Sequence, residues 1–74
     1  MCIVSLKSIT IATKGKKALE KSNIYSEIVK LDPKMTKKGC SYGLRFDCLY
    51  LNYLEDVFSK NKIKYSEIFN DISW

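Results

Sequence analysis

The 74-residue chain contains no histidine, and this absence removes several kinds of site. Without an imidazole there is no Cys-His or Ser-His nucleophile pair and no base that ordinarily titrates near neutral pH. Zinc sites usually need histidine or closely paired cysteines, whereas Cys2, Cys40 and Cys48 show no CxxC spacing. The sequence therefore predicts no metal site and no cofactor of its own, and it favours a non-catalytic protein over an enzyme.

Long apolar segments are also missing. No run reaches the roughly 18 apolar residues that cross a bilayer, and residues 1–6 are too short for the apolar part of a signal peptide. An odd number of cysteines suggests free thiols in a reducing compartment rather than a disulfide framework. We therefore expect a cytoplasmic protein without membrane association. A chain this short builds one small core, so residues 1–74 are expected to form a single domain.

The charge is distributed unevenly along the chain. Residues 1–38 contain nine lysines and three acidic residues, for a net charge of +6, whereas residues 39–74 carry a net charge of −1. A basic half suits an anionic or phosphate-bearing partner. The alternative is that lysines on a helix face only keep a small protein in solution, and the sequence leaves both interpretations open.

Hydrophobic periodicity predicts six elements in the order βαββαβ. Strands are expected at residues 2–7, 25–31, 42–48 and 65–72. The first helix is expected from an N-cap at Ser8 to a stop at Asn23, and the second from about residue 49 to residue 61. Asp32 and Pro33 end the second strand and open a polar loop that runs to Cys40.

A short internal repeat supports this order. Residues 25–28 and 65–68 both read Tyr-Ser-Glu-Ile, and each copy follows a helix and a turn that contains isoleucine. Two βαβ halves would place the copies in equivalent strands. The expected fold is therefore an α+β ferredoxin-like sandwich, with a four-stranded antiparallel sheet and two helices on one face.

The candidate site is the segment around Cys40, where residues 36–43 read Thr-Lys-Lys-Gly-Cys-Ser-Tyr-Gly. Gly39 and Gly43 allow the backbone to turn sharply, and Lys37 and Lys38 favour a thiolate over a thiol. In the expected topology this loop lies at the same end of the sheet as the start of the first helix, where the helix dipole adds to that effect. Cys40 is thus predicted to be a reactive thiolate.

The other two cysteines are expected at the opposite end of the sheet. Cys2 and Cys48 would lie on neighbouring strands and could approach each other, but we expect two buried core thiols. An internal disulfide between Cys40 and Cys48 is not expected, because an extended third strand separates them.

Three further residues near the thiol have a functional and a structural interpretation. Ser41 and Tyr42 are candidates to shape access to Cys40, and Arg45 is a candidate to contact an anionic partner. In the structural interpretation Tyr42 packs over the sheet edge, Arg45 is a solvated strand residue and Cys40 is a loop thiol without a function.

The 36–43 segment leading into the third strand, together with the βαββαβ outline and the length, resembles the small selenium/sulfur carrier-like proteins. The resemblance covers nearly the whole chain. It implies that Cys40 takes up sulfur or selenium as a persulfide or selenenylsulfide and yields it to an acceptor. The implied partners are a sulfur or selenium donor protein and an acceptor protein.

Two other functions share this fold. In an RNA-recognition domain the third strand begins with Lys/Arg-Gly and then an aromatic residue, but here Cys40 occupies the aromatic position and the first strand also lacks a ring. This argues against nucleic-acid binding beyond weak, salt-sensitive contacts.

The other alternative is a ligand-sensing or protein-docking module that forms a homodimer through an edge strand. Its interface could use the aromatic residues, although Tyr25, Tyr65 and Phe69 are expected to cover the core.

Overall fold

The computed structural model describes residues 1–32, 34, 36 and 39–70 of the chain. Its elements are β1 (Cys2–Leu6), α1 (Ile9–Lys21), β2 (Ser26–Lys30), β3 (Tyr42–Phe46), a 3₁₀ turn (Cys48–Tyr50), α2 (Leu51–Lys60) and β4 (Glu67–Asn70). The strands form one antiparallel sheet in the order β2-β3-β1-β4. The expected ferredoxin-like βαββαβ arrangement is confirmed. The expected extension of β4 to residue 72 falls outside the described residues.

Local signals in the sequence set both ends of α1. The hydroxyl of Ser8 accepts a hydrogen bond from the Ile11 N–H at 3.2 Å and caps the first turn. At the other end Asn23 adopts a left-handed conformation with φ of 59°, and the Ile24 N–H donates to the Leu19 carbonyl at 2.9 Å. This is the hydrogen bond of a Schellman-type C-cap, and it turns the chain back towards the sheet.

The end of α2 repeats that geometry. Lys62 has φ of 55°, and the Ile63 N–H donates to the Phe58 carbonyl at 2.9 Å. The two copies of the internal repeat follow these caps, and Ile28 and Ile68 lie in one row across the sheet through their pairing with the central strands. The two halves of the chain therefore have the same helix C-cap geometry and strands in equivalent positions.

The core lies between the sheet and the helices. Side chains of cross-strand partners share a face of the sheet. On one face, Cys2, Val4 and Leu6 and their partners on β3 form the core with residues of both helices. The helix residues of this cluster are Ala12, Ala18, Leu19, Leu54 and Phe58. Neither helix, nor any other helix among the described residues, is long and apolar enough to cross a membrane.

The expectation that three aromatic residues cover the core between sheet and helices is wrong for Tyr25 and for Phe69. Tyr25 stands just before β2 and is 72% exposed. Tyr65 makes an edge contact with Phe58, with ring centroids 6.0 Å apart. Phe69 pairs with Ile3, on the sheet face opposite the Val4 row. The periodicity located the strand, but it did not show that Tyr25 precedes the first paired residue.

The third strand ends two residues earlier than expected, and this places Cys48 outside the strand and in a disulfide with Cys2. The Asp47 carboxylate accepts a hydrogen bond from the Leu49 N–H at 3.0 Å and caps the 3₁₀ turn, so Cys48 leaves the strand. Cys48 and Cys2 form a disulfide, with their Cα atoms 5.1 Å apart, a separation that suits such a bond. The expectation of two buried core thiols is therefore wrong.

Candidate functional site: the segment around Cys40

Cys40 is the one free thiol of the chain, because all three cysteines lie in described segments and the other two are bonded to each other. Its side chain is buried, with the residue 2% exposed. The thiol donates a hydrogen bond to the hydroxyl of Ser66, with 3.2 Å between Sγ and Oγ. The structure thus shows Cys40 in a covered, hydrogen-bonded state.

Thr36 holds the backbone of Cys40 through its side-chain hydroxyl. The threonine hydroxyl accepts a hydrogen bond from the Cys40 N–H at 2.7 Å and donates one to the Cys40 carbonyl at 3.3 Å. The Gly39 N–H in turn donates to the Thr36 carbonyl at 3.3 Å. Thr36 is itself buried, so these bonds are shielded from competing water and hold the cysteine in one position.

The two glycines beside the thiol have different roles. Gly39 has φ of 67°, and a Cβ atom added to it would have no heavy atom within 4 Å. A Cβ on Gly43 would instead lie 2.9 Å from Ile3 Cγ2, 3.0 Å from Leu31 Cδ1 and 3.0 Å from the Val4 carbonyl. Gly39 therefore provides the sharp turn that the sequence predicts, whereas Gly43 provides space for close packing.

Cys40 lies at the expected end of the sheet. Leu6 pairs with Tyr42 at the start of β3, Ser8 begins α1 two residues later, and Cys40 precedes Tyr42 by two residues. The thiol contacts Ser66, the residue before β4, and the Ser66 N–H donates to the Ser5 carbonyl at 2.9 Å.

The remaining predicted site residues occupy three different surroundings. The ring of Tyr42 packs against the core cluster, and the Ser41 carbonyl accepts a hydrogen bond from Leu31 at the end of β2. Arg45 forms an ion pair with Glu27, its cross-strand partner on β2. The side chains of this pair are 26% and 35% exposed. Lys37 and Lys38 lie outside the described residues.

Two residues of this site were not singled out from the sequence. Thr36 stands inside the 36–43 motif, and Ser66 belongs to the second copy of the internal repeat. A threonine four residues before a loop cysteine is a weak signal, because side-chain to backbone bonds over that span are common in turns. No sequence pattern indicates the contact between Cys40 and Ser66, which are 26 residues apart.

The described residues contain no group of three cysteine or acidic side chains that could hold a metal ion.

A family model with the description "Putative Se/S carrier protein-like" matches residues 1–70. No curated protein and no solved structure matches the chain.

Proposed function

Because the chain belongs to the family of selenium/sulfur carrier-like proteins, we propose that it carries sulfur or selenium on the thiol of Cys40 between a donor protein and an acceptor protein. The observation that carries this proposal is that Cys40 is the one cysteine left with a free thiol. The disulfide occupies the other two, so among the cysteines Cys40 alone has a thiol with which to attack a donor persulfide.

The transfer is a thiol exchange in two steps. The Cys40 thiolate attacks the outer sulfur of a donor persulfide; the S–S bond of the donor breaks, and the donor leaves as a thiolate. The product is a Cys40 persulfide, whose outer sulfur is then attacked by an acceptor thiolate. Cys40 leaves as a thiolate, so no external oxidant or reductant is consumed. With selenium as the outer atom the same steps pass through a selenenylsulfide.

The burial of Cys40 adds a requirement to this mechanism. A residue that is 2% exposed offers no path for a donor, so uptake needs a rearrangement that breaks the 3.2 Å bond to Ser66 and turns the thiol outward. Ser66 acts in this proposal as the group that retains the unloaded thiol. Lys37 and Lys38 would stabilise the anionic persulfide after uptake, since both precede Cys40 closely in the chain.

The roles of the other predicted residues follow from their positions. Ser41 lies between the thiol and β3, and Tyr42 is the first residue of β3, so we propose that they define the path by which a partner reaches the thiol. Gly39 allows the turn that precedes Cys40, and Gly43 allows β3 to pack closely against its neighbours. Arg45 would contact an anionic partner only by exchanging its ion pair with Glu27.

The test is sulfur uptake from glutathione persulfide, and selenium uptake from selenodiglutathione in a parallel sample. Each cysteine is mapped by peptide mass spectrometry after alkylation without reduction. We expect the mass of one sulfur atom on the Cys40 peptide, and none there in Cys40→Ser. Ser66→Ala keeps the thiol but removes its acceptor, so this matched variant should load faster than the parent protein. Circular dichroism checks that the variants fold.

The proposal is overturned if Cys40 stays unmodified under conditions that load the unfolded chain, or if Cys40→Ser accepts as much sulfur as the parent protein. A loaded Cys40 that does not pass its sulfur to an added thiol also contradicts it, because a carrier must release its cargo. The two donors separate a sulfur carrier from a selenium carrier.

A further inference from the structure

The Cys2–Cys48 disulfide lies at the other end of the sheet and is exposed on one side only. Cys2 is 6% exposed and pairs with Phe46 within the sheet. Cys48 is half-buried at the start of the 3₁₀ turn, and its neighbour Leu49 is 82% exposed. A thiol arriving from solvent therefore meets the sulfur of Cys48, while the core covers the sulfur of Cys2.

A polar group contacts both sulfur atoms. Asn70 Oδ1 at the end of β4 lies 3.3 Å from Cys48 Sγ and 3.5 Å from Cys2 Sγ. Neither sulfur of a disulfide carries a proton, so this oxygen receives no S–H bond in the oxidised protein. A thiol is a weak donor, and after reduction either thiol finds an acceptor already in place. The surroundings of the disulfide thus also suit the reduced pair.

We propose that the Cys2–Cys48 disulfide is a thiol-exchange site, at which an external thiolate attacks Cys48. A bond forms between the incoming sulfur and Cys48 Sγ, the Cys2–Cys48 bond breaks, and its electron pair leaves on Cys2. Cys2 takes a proton from water and donates it in a hydrogen bond to Asn70. A second external thiolate then attacks the incoming sulfur and releases Cys48, so two thiols are oxidised to one disulfide for each disulfide reduced.

This inference does not depend on the carriage of sulfur by Cys40. The disulfide contains the other two cysteines, and Cys2 pairs with residues at the end of the sheet away from Leu6 and Tyr42. Reaction at each site is read on a different peptide, so either proposal can fail without the other.

The test uses the oxidised full-length protein and reduced glutathione. Samples are quenched with acid, free thiols are alkylated, and the mixed disulfides are mapped by mass spectrometry. Because access decides which sulfur reacts, we expect glutathione on Cys48 in at least about tenfold excess over Cys2. Cys2→Ser and Cys48→Ser form a matched pair, in which the thiol left without its disulfide partner should react with oxidised glutathione, rapidly when it is Cys48 and slowly when it is Cys2.

Equal labelling of the two cysteines, or an excess on Cys2, would overturn the proposal. So would an exchange rate equal to the rate of global unfolding, measured in the same buffer with added urea, since the bond would then be reached only in the unfolded chain. The wild-type mapping needs no variant and stands even if a variant does not fold.

Asn70→Ala provides a second readout. Loss of the acceptor disfavours the dithiol, so the equilibrium with mixtures of reduced and oxidised glutathione should move about two- to fivefold towards the disulfide. An unchanged equilibrium, or a shift towards the dithiol, contradicts the role given to Asn70.

Discussion

Gly43→Ala tests whether Gly43, three residues after Cys40, is required for the close packing of β3 against its neighbours. The new Cβ would lie 3.0 Å or less from two side-chain atoms and from the backbone carbonyl of Val4. A strand carbonyl cannot withdraw without disturbing the ladder between β1 and β3, in which Gly43 pairs with Ser5. Overpacking costs about 1–3 kcal/mol, and removal of a strand glycine returns about 0.5–1 kcal/mol. The middles of these two ranges differ by about 1 kcal/mol, and we expect the variant to lose about that much stability.

Gly39 provides the matched control on the other side of Cys40. Its added Cβ has open space, and the cost of alanine comes from its left-handed φ, which is about 1 kcal/mol. Asparagine adopts this conformation more readily than alanine does. Gly39→Asn should therefore be more stable than Gly39→Ala, whereas Gly43→Asn should be less stable than Gly43→Ala because it adds more volume to a filled space.

Urea unfolding of the four variants, followed by circular dichroism, measures these differences. For a domain of this size, each 1 kcal/mol lowers Tm by about 4–8 °C, so thermal scans resolve the order as well. The reasoning is refuted if Gly43→Ala is as stable as the parent protein. It is also refuted if alanine and asparagine rank in the same order at both positions, since one physical cause would then govern both glycines.

Three further changes test other contacts. Cys48→Ser should cost about 2–4 kcal/mol, because the bond closes a loop between residues 46 positions apart; urea unfolding of the parent protein should respond to dithiothreitol and that of the variant should not. Thr36→Val removes both hydroxyl bonds to Cys40 and should cost about 1–3 kcal/mol, while iodoacetamide should label Cys40 faster. Glu27→Gln weakens a partly exposed ion pair and should cost less than about 1 kcal/mol in the same unfolding assay.

Much of the fold could be predicted because its signals are local. Ser8 caps α1 through an atom three residues away, and both helices end in a left-handed residue followed by isoleucine. The Tyr-Ser-Glu-Ile repeat then marks the start of an equivalent strand in each half. Such signals depend on neighbouring residues alone, so a single sequence reveals them.

The site was harder to predict because its contacts join distant parts of the chain. The Cys40 thiol meets Ser66 only through the pairing of β1 with β4. The disulfide depends on Asp47, since its cap on the 3₁₀ turn directs Cys48 away from the strand. The expected strand of residues 42–48 includes Cys48, because the alternation of side chains does not show that a cap at Asp47 ends the strand before it.

The separation of the two sulfur sites restricts how the protein can work. From Cys2 to Leu6, β1 spans about 13 Å at the usual rise of a strand, and Cys40 lies beyond the partner of Leu6. A sulfur atom passes between cysteines only at bonding distance, so Cys40 cannot hand its cargo to Cys48 in the same folded molecule. Each of the two proposed reactions therefore needs an external partner at its own end of the sheet. Cys48→Ser should leave the site of sulfur uptake at Cys40 unchanged, and loading of Cys40 should leave glutathione exchange at Cys48 unchanged. Mass spectrometry of both peptides in one sample measures the two reactions together, and mutual dependence between them would contradict this separation.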